Sequence, residues 1–139
     1  MPGMDAASRY AELRRQEALT PKLLYAVDAR LTPSSPTADV ARLTALASAA
    51  VAAANGHVLD TSHVIFPNGA ITLVLILAES HLSIHTWPEE NLIAIDLFSC
   101  GAIDGQAVIS ALTRSLRLEE TTVRTLGRGL EPGGAAPPA

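Results

Sequence analysis

The stretch "AITLVLILA", Ala70 to Ala78, constrains the fold of this chain more than any other. Side chains alternate between the two faces of a strand, and here both faces are apolar. Such a strand belongs in the interior of a sheet, with cover on both sides. The run is far too short to cross a bilayer. It leads directly into "ESHLSIHTWPEE", which holds acids, hydroxyls, two histidines and the only tryptophan.

The chain has 139 residues, which fits one domain with one sizeable core. It is 48% apolar but only 4% aromatic, so that core must be built from Ala, Val, Leu and Ile. A net charge of -4, without a basic patch and interleaved aromatics, argues against a nucleic-acid binder. The single cysteine, Cys100, excludes an intrachain disulfide and fits a reducing compartment. The N-terminus lacks the basic-then-apolar order of a secretory signal. A cytoplasmic globular domain without a membrane segment is expected.

Residues 1–20 read as an exposed helix or arm, with Asp5 as N-cap, and 129–139 as a disordered tail. The domain is expected over 21–128. Lys22–Leu31 reads as a strand. "ADVARLTALASAAVAAAN", Ala38 to Asn55, predicts a helix stopped by Asn55-Gly56. His57–Phe66, Ala70–Ala78 and Asn91–Cys100 read as strands, Ser80–Trp87 as a further extended stretch. Asp104–Glu119 predicts a second helix and Thr121–Gly129 a short last strand. This order predicts an α+β two-layer sandwich, an antiparallel sheet with two main helices on one face. The other face needs a cover, and a second copy is the simplest, so a homodimer is expected.

In an extended Ser80–Trp87, His81, Ser83 and His85 share one face, opposite Leu82, Ile84 and Thr86. An ordinary polar strand edge would look like this. A zinc site would not, because His81 and His85 would stand roughly 13 Å apart along a strand. Nor is there a "GxSxG" elbow for a hydrolase. Cys100 reads either as a small buried hydrophobe or as a thiol at a site mouth.

"ESHLSIHTWPE" followed by "IDLFSCG" resembles the prokaryotic S-adenosylmethionine decarboxylase proenzyme family, with the specific part in Phe66–Gly101. The resemblance implies self-cleavage between Glu79 and Ser80. By the same resemblance Ser80 would become a covalent pyruvoyl cofactor that forms a Schiff base with the substrate's amine. It implies processing roles for Thr72 and His85, and Cys100 as proton donor. Phe66 would stack on adenine, and Glu89 would bind ribose hydroxyls. No metal is implied. The product would be the aminopropyl donor of spermidine synthesis.

The chain departs from the family pattern at "TPK", at Asp28-Ala29-Arg30, at Ser62 and at Leu73. Two other readings therefore stay open. One is a pyruvoyl-dependent decarboxylase of ornithine or arginine, with Glu90 or Asp60 receiving the distal cation. The other is a non-catalytic regulatory paralogue, whose signature would be loss of Ser80, His85 or Cys100; all three are present.

Overall fold

The computed structural model describes residues 5–18 and 21–130. The expected tail from 131 onward lies outside the described residues. Helix α1 is Ala6–Ala18, and Asp5 caps it by accepting the Ser8 N–H at 2.7 Å. The remaining elements are β1 (Lys22–Arg30), α2 (Val40–Ala53), β2 (Val58–Ile65), β3 (Ile71–Leu77), β4 (Ser80–Trp87), β5 (Leu92–Ser99), α3 (Gly105–Ser115) and β6 (Glu119–Arg128). A single 3-10 turn, Pro88–Glu90, joins β4 to β5.

All six strands form one antiparallel sheet in the order β2-β3-β4-β5-β1-β6. Alternation sorts its side chains. Ile71, Leu73 and Leu75 of β3, Leu82 and Ile84 of β4, and Ile93, Ile95 and Leu97 of β5 are buried in the core. Leu43, Ala47 and Val51 of α2 belong to that core, as do Val108 and Leu112 of α3. The expected pair of helices on one face is therefore present. Thr72, Val74 and Ile76 on β3, with His81, Ser83 and His85 on β4, lie on the opposite face. That face is only partly covered, and Ile76 is 45% exposed. The apolar run on β3 thus meets helices on one side only.

The helix ends have local causes. Asp39 accepts the Ala41 N–H at 2.9 Å and starts α2. Asn55 takes a positive φ of 68° beyond the end of α2, while Gly56 is required by space: a Cβ there would stand 2.5 Å from Val51 Cγ1. Helix α3 stops at Ser115, short of the expected Glu119. Arg117 turns the chain with φ 53°, and buried Leu116 and Leu118 anchor the corner. This frees Glu119 to open β6, a full edge strand of ten residues where a short one was expected.

Gly105 begins α3 against the ring of buried Tyr25, and a Cβ would stand 2.4 Å from Tyr25 Cε2. Gly105→Ala is expected to destabilise the fold by about 1–3 kcal/mol, read as a lower urea midpoint with unchanged slope.

Candidate active site

A two-residue connection, Ala78-Glu79, joins β3 to β4, with Leu77 paired to Ser80. Such short hairpins demand unusual backbone angles, normally met by Gly or Asn. Here the angle falls on Ser80, at φ 129°. A side-chain-bearing residue in that region stores about 1–3 kcal/mol of strain. The strained residue follows the Glu79–Ser80 peptide singled out in the sequence.

Strand β5 sets Ser99 opposite Ser80, so Cys100 follows at the sheet's end. The Cys100 N–H donates to the Glu79 carbonyl oxygen at 3.1 Å. The Cys100 thiol donates to the same oxygen, also at 3.1 Å. Ser80 Oγ lies 3.4 Å from Cys100 Sγ. Cys100 is 6% exposed and Glu79 2%. The carbonyl thus carries two donors in a dry setting, an arrangement that stabilises negative charge growing on oxygen. The hydroxyl beside it belongs to the next residue, Ser80.

His57, which no sequence motif singled out, completes this cluster. Its N–H donates to Glu79 Oε1 at 2.9 Å, and its Nδ1 lies 2.7 Å from Glu79 Oε2. Nothing near His57 in the chain signals this; only the pairing of β2 with β3 brings it there. His81 stands outside the cluster, stacked on Phe98 at 6.1 Å, with Arg128 over the same Phe98 ring.

A second cluster forms at the other end of β4. Thr72 Oγ1 and His85 Nδ1 are hydrogen-bonded at 3.1 Å across β3 and β4. Trp87 lies beside His85, with ring centroids 6.2 Å apart. Asn68 Nδ2, also absent from the sequence reading, donates to Glu89 Oε2 at 3.1 Å. Phe66, Asn68, Thr72, His85, Trp87 and Glu89 line a cleft of about 560 Å³. The β2–β3 turn, closed by the Phe66 N–H to Ala70 carbonyl bond at 2.8 Å, brings Phe66 and Asn68 to it.

The structure therefore divides the expected residues in two. Glu79, Ser80 and Cys100 meet at one end, and Phe66, Thr72, His85 and Glu89 at the other. His85 lies five positions along β4 from Ser80, roughly 16 Å along a strand. Within one chain Thr72 and His85 do not reach the Glu79–Ser80 bond. The register of β4 is the reason.

Fold and site define an α+β domain in which a serine hydroxyl and a cysteine thiol meet at a strained hairpin. A family model described as S-adenosylmethionine decarboxylase matches residues 24–129. The chain belongs to the S-adenosylmethionine decarboxylase family. It is 41% identical over 75 residues to an S-adenosylmethionine decarboxylase proenzyme 2 of Bacillus anthracis, covering 53% of this chain and 61% of the relative. It is 40% identical over 79 residues to an S-adenosylmethionine decarboxylase proenzyme of Pyrobaculum arsenaticum, covering 56% and 59%. These matches span about 60% of the relatives' own length. The crystal structure of the adenosylmethionine decarboxylase from Aquifex aeolicus VF5 superposes with a TM-score of 0.67 at 28% identity, covering 81% of this chain and 93% of that one.

The strain at Ser80 is measurable without any chemistry. Ser80→Gly and Ser80→Ala both remove the hydroxyl, but only glycine adopts φ 129° freely. The glycine variant is expected to be more stable by about 1 kcal/mol in urea unfolding. Equal midpoints would mean that the backbone at 80 carries no strain.

Proposed function

We propose that this chain is a proenzyme that cleaves itself between Glu79 and Ser80 and then, through the resulting pyruvoyl group, decarboxylates S-adenosylmethionine. One observation carries the reading: the Glu79 carbonyl rests on two Cys100 donors beside the Ser80 hydroxyl, in a chain of this family.

In the first step Ser80 Oγ attacks the Glu79 carbonyl carbon and loses its proton. Negative charge grows on the oxygen held by the Cys100 N–H and thiol. The C–N bond then breaks, the nitrogen takes a proton, and an ester joins Glu79 to Ser80 Oγ. Loss of the Ser80 α-proton expels the Glu79 carboxylate by β-elimination. Water then replaces the nitrogen of the dehydroalanine, ammonia leaves, and a ketone remains at position 80. Breaking the peptide also releases the strain at Ser80.

The residues present fit the group, which needs no more heavy atoms than the serine it replaces. Its carbonyl supplies an anchor for the substrate's α-amine and an electron sink as carbon dioxide leaves. Cys100, whose sulfur is 3.4 Å from Ser80 Oγ, supplies the proton that the substrate carbon then needs. A reduced thiol suits a cytoplasmic setting. Phe66 stacks on adenine and draws the sulfonium by cation–π attraction, and Glu89 accepts from the ribose hydroxyls. Decarboxylated S-adenosylmethionine is an aminopropyl donor for spermidine synthesis.

Two copies complete the site. We infer a two-fold pair packed through the bare sheet face, in which the cleft of one copy serves Ser80 of the other. Thr72 and His85 then serve cleavage in the partner. The 16 Å gap of roughly five strand residues supports this arrangement. The amino-acid alternative finds no such support. Asp60 accepts the Thr61 N–H at 2.8 Å, and Glu90 borders a different recess with Asp28 and Arg30.

Intact mass after incubation with cyanoborohydride and S-adenosylmethionine, ornithine or arginine tests the function. Two chains are expected, the one beginning at position 80 carrying a reduced adduct from S-adenosylmethionine alone. An adduct from ornithine or arginine instead would reassign the substrate, and an uncut chain would sink the enzyme reading.

Complementation tests the shared site. Ser80→Ala and His85→Ala should each be inactive alone. Co-expressed, they should regain activity, because one of the two sites in a mixed dimer is then complete. No recovery in isolated mixed dimers would place both clusters' work within one chain.

A further inference from the structure

Self-cleavage uses only the carbonyl of Glu79, yet the side chain of that residue is 3% exposed. A carboxylate removed from water is costly unless donors replace the solvent. His57 supplies donors to both oxygens: its N–H reaches Oε1 at 2.9 Å and its ring Nδ1 lies 2.7 Å from Oε2. The His57 carbonyl in turn accepts the Ala78 N–H at 2.9 Å. Three contacts therefore tie the two residues before Ser80 to one residue at the head of β2. Cys100 grips the Glu79 carbonyl from the other flank.

We propose that His57 is a positioning residue for self-cleavage, holding the Glu79 carboxylate so that the Glu79 carbonyl stays on its Cys100 donors while Ser80 attacks. The proposal rests on the cleavage reading given above. His57 touches none of the reacting atoms and acts through Glu79. The hairpin is under strain at φ 129°, and that strain can be relieved in two ways. The peptide can break, or the Ala78-Glu79 segment can rotate and carry the carbonyl away from Cys100. The ring of His57 opposes the second route, because rotation would pull a buried carboxylate off its charge-assisted partner. Strain is then directed into bond cleavage.

The test follows cleavage of the full chain by intact mass during cell-free synthesis. His57→Leu keeps the backbone donor but loses the ring, and is expected to slow cleavage about tenfold or more. His57→Asn, whose side-chain amide donates from a position close to Nδ1, should recover much of the rate. Glu79→Gln should also slow cleavage, and adding His57→Leu to it should slow it little further, since the two act as one unit. A purely architectural histidine gives a different pattern: Leu and Asn variants equally slow, and effects that multiply in the double variant. Either that pattern or wild-type cleavage in His57→Leu overturns the proposal. Should circular dichroism find His57→Leu unfolded, the His57→Ala and His57→Asn pair carries the same comparison. An uncut wild-type chain would overturn the cleavage reading itself, so the two failures are told apart.

Discussion

The register of β4 between β3 and β5 sets where Thr72, Ser80, His85 and Cys100 stand relative to one another. Ser80 pairs with Leu77 and Ser99, and His85 pairs with Thr72 and Ala94. A slip of one residue would turn Leu82 and Ile84 out of the core and send His81 and His85 into it. Both leucine and isoleucine are fully buried, so the register is strongly specified. The same pairing delivers Cys100 to the Glu79 carbonyl and Thr72 to His85. It also keeps those two groups apart.

Strain of this kind persists only where the surroundings over-determine it. Ser80 opens a strand that is hydrogen-bonded on both sides, between a two-residue turn and the buried end of β5. Relaxing the angle at Ser80 would disturb both ladders and the seat of the Glu79 carboxylate on His57. Strain, hydrogen-bond donors and a hydroxyl thus converge on one peptide through backbone geometry. At that end the side chains of Ser80, Cys100, Glu79 and His57 all lie within hydrogen-bond reach of a neighbour in the cluster.

Much of the fold could be read from the chain, because it depends on local pattern. The alanine-rich helix, the strand at Ala70–Ala78 and the capping of α1 by Asp5 all follow from spacing and end signals. The length of β6 did not, since its pairing with β1 is non-local and its start depends on the turn at Arg117. In the site, Phe66, Thr72, His85 and Glu89 were named as parts of one pattern and do share a cleft. Their distance from Ser80 was hidden, because a linear motif does not show how far apart strand positions lie. His57 and Asn68 were missed for a related reason. Each acts on a residue about twenty positions away, reached only through the β2–β3–β4 pairing.

The departures from the family pattern take on a different weight in three dimensions. Leu73 is fully buried among the core residues under the helices, whereas its neighbour Thr72 faces the cleft from the opposite side. A larger residue there changes core packing and leaves the cleft's lining unaltered. Asp28 and Arg30 lie at the β1–β6 seam, where they pair with Arg124 at 3.0 Å and Glu120 at 2.7 Å. These pairs are solvent-exposed and weak, and they follow the local irregularity in the β1–β6 pairing. Ser62 sits on β2 opposite Val74, outside the cleft. These three departures thus fall on the core, the seam and the edge strand, outside the cleft that holds Phe66 and Glu89. A different ligand would call for different groups in the cleft, and Leu73, Asp28, Arg30 and Ser62 supply none there.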